Sequence, residues 1–81
     1  MSRLDKQIER LGDARHDANW DFDELCALLK KLGFEMRVNG SHHFFRRPGS
    51  PGVVNLQPRG RQAKPYQVRQ ARTVLQELGL L

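Results

Sequence analysis

Two histidines stand side by side in the stretch Asn-Gly-Ser-His-His-Phe-Phe-Arg-Arg, residues 39–47. Paired histidines suit three kinds of work. They can hold a metal ion, act as a general base with a helper, or fill a half-buried strand. Metal binding fits poorly. Neighbouring side chains on a strand point to opposite faces, so His42 and His43 cannot easily chelate one ion. The other soft ligands are His16, in a polar linker, and Cys26. A structural zinc site needs about four ligands and a catalytic one about three. Cys26 lies mid-helix among leucines and reads as core, not as a nucleophile.

The charge distribution points to a different chemistry. The chain has 81 residues and a net charge of +5. Arg37, Arg46, Arg47, Arg59, Arg61, Lys64, Arg69 and Arg72 fall within a stretch of 36 residues that contains no acid. All nine acids lie outside it, with six bases. Such segregation is the footprint of a phosphate-binding surface, although a solvated basic face would look the same in composition. On strand two, His42 and Phe44 share one face, and His43 and Phe45 share the other. Whichever pair meets solvent stands beside Arg46 or Arg47. A ring that can stack on a base, next to cations that can hold phosphates, suits RNA. The alternation alone does not say which pair is displayed.

The elements that must position these residues are legible. Eighty-one residues make one small domain, and a single cysteine rules out a disulfide framework. No apolar run approaches the roughly 18–20 residues of a membrane span, and the polar N-terminus is no signal peptide. A cytoplasmic protein is expected. Residues 3–11 can form a short helix with Leu4, Ile8 and Leu11 on one side, broken at Gly12. That helix reads as an appendage, so residues 1–20 are expected to be an extension and linker and 21–81 the main domain. Asp21 is a good N-cap for a second helix. Glu24 three residues on completes a capping-box pattern, and Trp20 can staple onto Leu25. Gly33 ends that helix.

Phe34–Val38 alternates as a half-buried strand, and Asn39-Gly40 is a hairpin signal. Residues 41–47 return as strand two. Pro48–Gly52 make the next turn, "VVNLQ" is strand three, and "RGRQAK" reads as a loop. Pro65 opens a final helix whose inner face is Val68, Ala71, Val74, Leu75 and Leu78. The expected fold is α+β: an α-β-β-β-α sandwich with an extra N-terminal helix.

The run of an apolar helix ending "LLKKLGF", then "GSHHFF", "VVNLQP" and "KPYQVRQARTVLQELGL", resembles the HicA family of toxins from type II toxin–antitoxin systems. The resemblance covers about residues 21–81. "NLQPRGRQAKPYQVRQ" departs from the family's usual Val-Pro-x-His stretch. The resemblance implies a fold like a double-stranded-RNA-binding domain and endonucleolytic cleavage of mRNA without ribosomes. It also implies a HicB-like antitoxin that covers the active site. The family's catalytic histidine follows Gly-Ser, which maps to His42; members with Gly-Ser-Asn-His would point to His43. An apolar residue two places after the paired histidines matches Phe45 and turns the His43–Phe45 face inward.

In the mechanism this implies, a neutral His42 removes a proton from an RNA 2′-hydroxyl. The oxyanion attacks the adjacent phosphorus. Arg46 or Arg47, with Arg59 or Arg61, steadies the phosphorane. Lys64, Arg69 and Arg72 position the backbone, and Gly40, Ser41 and Phe44 line the site. Neither metal nor cofactor is needed, because the nucleophile lies within the substrate. No partner acid stands out: His43 points away on a regular strand, and Tyr66 is the remaining candidate. The alternatives are a non-catalytic RNA-binding module on the same fold and a pure protein-interaction domain.

Overall fold

The computed structural model describes residues 2–81. Helix α1 spans Arg3–Leu11, followed by a 3-10 turn over Ala14–Asn19. Helix α2 spans Phe22–Lys31. Strands β1 (Glu35–Asn39), β2 (His42–Arg46) and β3 (Val53–Leu56) follow, then the short strands β4 (Pro58–Arg59) and β5 (Gln62–Ala63), and helix α3 (Pro65–Glu77). The three longer strands form one antiparallel sheet in the order β1-β2-β3. The expected α-β-β-β-α sandwich is what the chain builds.

Local chemistry explains the elements. Asp21 caps α2 by accepting from the Glu24 amide at 3.0 Å. The other half of the expected capping box is missing: the Glu24 carboxylate instead accepts from Arg10 at 3.2 Å and Gln7 at 3.4 Å, both from α1. A full box stands at Ser2 and Asp5, which start α1. The β1–β2 turn lies one residue later than the Asn39-Gly40 pattern suggests. Asn39 pairs with His42, so Gly40 and Ser41 form a two-residue loop. Gly40 has φ +62° and no non-glycine residue among those described has positive φ, which is the pattern of a type II′ turn.

"RGRQAK" is not a plain loop. Arg59 pairs with Gln62, and Gly60, also at φ +62°, makes the same kind of turn. This hairpin is held from outside itself: the Phe22 amide donates to the Arg61 carbonyl, and the Ala63 amide to the Trp20 carbonyl. Pro58 sits in an edge strand, where its missing N–H costs nothing.

One face of the three-stranded sheet is covered. Phe45, Val54 and Leu56 are fully buried there, against Leu25, Leu28 and Leu29 of α2 and Val68, Ala71 and Leu75 of α3. The N-terminal segment joins the same core and is not an appendage. Leu11 and Trp20 have no exposed surface, and Arg10 lies over the Trp20 ring at 4.5 Å. Each such side chain removed from water is worth about 1.5–3 kcal/mol. Arg72 of α3 ties this segment down by donating to the Leu11 carbonyl at 2.8 Å and to the Asp17 carboxylate. No helix of the described residues is long and apolar enough to cross a membrane.

Candidate active site on the open face of the sheet

The register decides which histidine is displayed. Met36 and Val54 flank Phe45 on the covered face, with Val38 and Leu56 flanking His43. The open face therefore carries His42, Phe44 and Arg46 from β2. Asn39, Arg37 and Glu35 stand opposite them on β1, and Asn55 and Val53 on β3. Phe45 is fully buried, whereas Phe44 keeps 36% of its surface exposed. The His42 and Phe44 rings stack at 5.9 Å with an interplanar angle of 15°.

A polar network surrounds His42. Its Nδ1 lies 3.4 Å from Asn55 Oδ1, and its Nε2 lies 3.1 Å from Gln57 Nε2. Gln57 also donates to Ser41 Oγ at 3.2 Å and accepts from Lys64 Nζ at 2.9 Å. Its backbone amide donates to Oε1 of the buried Gln67 at 2.6 Å, and Gln67 Nε2 donates to the Tyr66 hydroxyl at 3.3 Å. The turn brings Ser41 in, β3 brings Asn55, Gln57 is the residue after β3, and the start of α3 brings Lys64 and Gln67. Lys64 is the N-cap residue of α3 and forms no capping bond with its side chain; no acid sits in the first turn. That end of the helix combines a cation with the positive pole of the dipole, which favours an anion.

Beside Phe44, Glu35, Arg37, Arg46 and Val53 line a depression of about 260 Å³. Val53 also borders a second, wider hollow with Tyr66, Arg69, Gln70, Thr73 and Val74. The open face thus continues past the β3 edge onto one flank of α3.

His43 has different surroundings. Its ring meets Phe22 edge-on at 4.8 Å, and its Nδ1 lies 3.1 Å from the Ser41 carbonyl. It lines a separate hollow with Asp21, Phe22, Asp23, Pro58, Gly60 and Arg61. Cys26 is buried, and that burial pushes its thiol up to about 11, which leaves no thiolate near neutral pH.

The expected basic residues therefore divide. Arg46 shares the His42 face, Lys64 reaches it through Gln57, and Arg69 lies on the adjoining flank. Arg61 stands near His43, while Arg59 is exposed on the small hairpin. Arg47 does not join His42: it lies over the end of α2, where a side-chain carbon built on Gly33 would come 3.4 Å from its Nε. A cation there complements the C-terminal pole of the helix. Arg72 is not a free phosphate contact, because its guanidinium is paired with Asp17 and only 13% exposed. Sequence reasoning missed Arg37 as a lining residue, and it missed Asn55, Gln57 and Gln67. Arg37 was detectable, because the expected Asn39-Gly40 turn already sets it opposite His42; the observed register sets it opposite Phe44 on the same face. The three amides carried no local signal.

A model of the family described as HicA toxin of bacterial toxin–antitoxin matches residues 22–80. Comparison with curated proteins gives no match, and neither does comparison with solved structures.

Proposed function

The chain belongs to the HicA toxin family of bacterial toxin–antitoxin systems, and from that premise we propose that it is an endoribonuclease that cleaves mRNA with His42 as general base. Membership makes it a toxin with an antitoxin partner. The observation that carries the finer reading is the setting of His42. It stands on the open face, hydrogen-bonded on both nitrogens and stacked on an exposed phenylalanine, with Arg37 and Arg46 on the same surface.

In this reading RNA lies across the open face with a base against Phe44. Nε2 of His42 takes the proton of a 2′-hydroxyl. The 2′-oxygen forms a bond to the adjacent phosphorus, and the bond to the 5′-oxygen breaks. The products are a 2′,3′-cyclic phosphate and a 5′-hydroxyl, whose proton comes from solvent water. Arg46 and Arg37 neutralise the phosphorane oxygens, while Lys64 and Arg69 hold flanking phosphates. DNA lacks the nucleophile and should be spared. A HicB-like antitoxin would inhibit by covering this face, where Phe44 and Val53 stand exposed between cations.

The test is purified protein with end-labelled RNA in EDTA, wild type against His42→Ala. Loss of cleavage with retained RNA binding and melting temperature is the expected result. Undiminished cleavage by His42→Ala would remove His42 as the base. Binding without cleavage by the wild type would favour a non-catalytic RNA-binding module.

A further inference from the structure

We infer that Gln57 is a positioning residue: held in one orientation by Lys64, it fixes which nitrogen of His42 carries the proton. The inference about catalysis rests on the reading of His42 as the base. The inference about the ring does not.

Donors and acceptors alone decide the orientation of the Gln57 amide. An ammonium group has only protons to give. The Gln57 atom 2.9 Å from Lys64 Nζ must therefore be the amide oxygen. That turns the amide nitrogen toward Ser41 Oγ and His42 Nε2, at 3.2 and 3.1 Å. An amide nitrogen donates and does not accept. Its two protons thus go to the serine oxygen and to the imidazole, and Nε2 must present its lone pair. The remaining ring proton sits on Nδ1, where Asn55 Oδ1 accepts at 3.4 Å. Which nitrogen of a histidine is protonated follows from the bonds the ring makes. Here every bond agrees on one tautomer.

The orientation has a firm base. The Gln57 backbone amide is held at 2.6 Å by the side chain of Gln67, which is 3% exposed. The backbone of Gln57 is therefore fixed beside the ring, while its side-chain amide stays free to swing aside when a substrate hydroxyl arrives. In the free protein its N–H occupies the position from which a substrate hydroxyl would donate to Nε2. Substrate exchanges one donor for another and finds the lone pair already in place. The other charged and titratable groups that share this face are Lys64 and Tyr66 at the start of α3, Glu35 and Arg37 on β1, and Arg46 on β2 itself.

Nitrogen-15 NMR of the imidazole rings reads the tautomer without any activity assay. In the wild-type protein above the titration of His42, Nδ1 should appear protonated and Nε2 unprotonated. In Gln57→Glu the carboxylate can only accept, so Nε2 becomes the protonated nitrogen and the imidazolium persists to higher pH, by about one unit. The acid limb of the cleavage profile should move with it. Lys64→Arg, which also only donates, keeps the wild-type pattern. Lys64→Met frees the amide to turn and mixes the tautomers. The fall in kcat then follows the lost fraction of the competent form, about threefold to tenfold, and the lost phosphate contact appears separately as a higher KM.

A wild-type ring protonated on Nε2 would overturn the proposal. So would Gln57→Glu and Lys64→Met spectra identical to wild type. If the spectra behave as expected while His42→Ala still cleaves RNA, the nuclease assignment falls and the role of Gln57 in orienting the ring stands.

Discussion

His42 and His43 are the same residue on the same strand, 180° apart in the pleat, and they live in different solvents. His42 is wrapped in amides: Asn55 at one nitrogen, Gln57 at the other, with Ser41 and Lys64 one bond further. His43 is clasped by Phe22 and the Ser41 carbonyl, across from Leu56. The first set of neighbours holds a ring on the open face with a hydrogen-bond partner at each nitrogen. The second holds a ring at the rim of the core. Residue type therefore says little about what a histidine does here; the face of the sheet says most of it.

The two histidines should differ most in cleavage. His42→Ala should lower the rate by about 10²–10⁴-fold, the usual worth of a general base. His43→Ala should act chiefly on stability, by about 1 kcal/mol for the lost aromatic edge contact. Equal losses of activity in a labelled-RNA assay would erase the distinction. The next two residues repeat it in stability. Phe45→Ala removes a fully buried ring and should cost about 3–5 kcal/mol in urea unfolding. Phe44→Ala, on the open face, should stay within about 1 kcal/mol and weaken RNA binding instead, by about 1–3 kcal/mol if a base stacks there.

The arginines offer a third contrast. Arg72→Ala leaves the buried Asp17 with only Arg69, at 4.0 Å, and should cost about 3 kcal/mol. Arg46→Ala should leave the melting temperature nearly unchanged and reduce the salt dependence of RNA binding by about one phosphate contact. The last effect sits in the core and shows only at alkaline pH. Burial holds the Cys26 thiol at about 11 against 9.0 when unperturbed, so folding disfavours the thiolate. Its raised value in the folded state means the stabilising contribution is complete below pH 9 and is lost between pH 9 and 11. Cys26→Ala should flatten the fall in unfolding free energy across that window.

Much of this was readable in advance. The pleat put His42 with Phe44 and His43 with Phe45 before any partner strand was known. The Asp21 cap and Pro65 are local effects, settled within four residues of chain. The β1–β2 hairpin is legible too, but its turn lies one residue later, and the Gly60 turn reads as a loop. The capping box failed for a non-local reason: Arg10 and Gln7 reach Glu24 from a helix fourteen or more residues away. The appendage reading failed likewise. Leu11 and Trp20 carry no local sign of the shared core they join.

What the sequence determined by itself was periodicity, punctuation and the segregation of charge, because each depends on covalent neighbours. Tertiary structure decided which sheet face is covered, since that rests on where two helices dock. It also sorted the cations. Arg46 and Arg72 look alike in the chain, but one meets solvent and the other a buried carboxylate. And it assembled the His42 network, whose members Ser41, Asn55, Gln57 and Lys64 meet only when the strands pair and α3 folds back. Amide side chains have no periodicity and no charge to betray them; their meaning is the direction of a hydrogen bond, which exists only once the partner is in place.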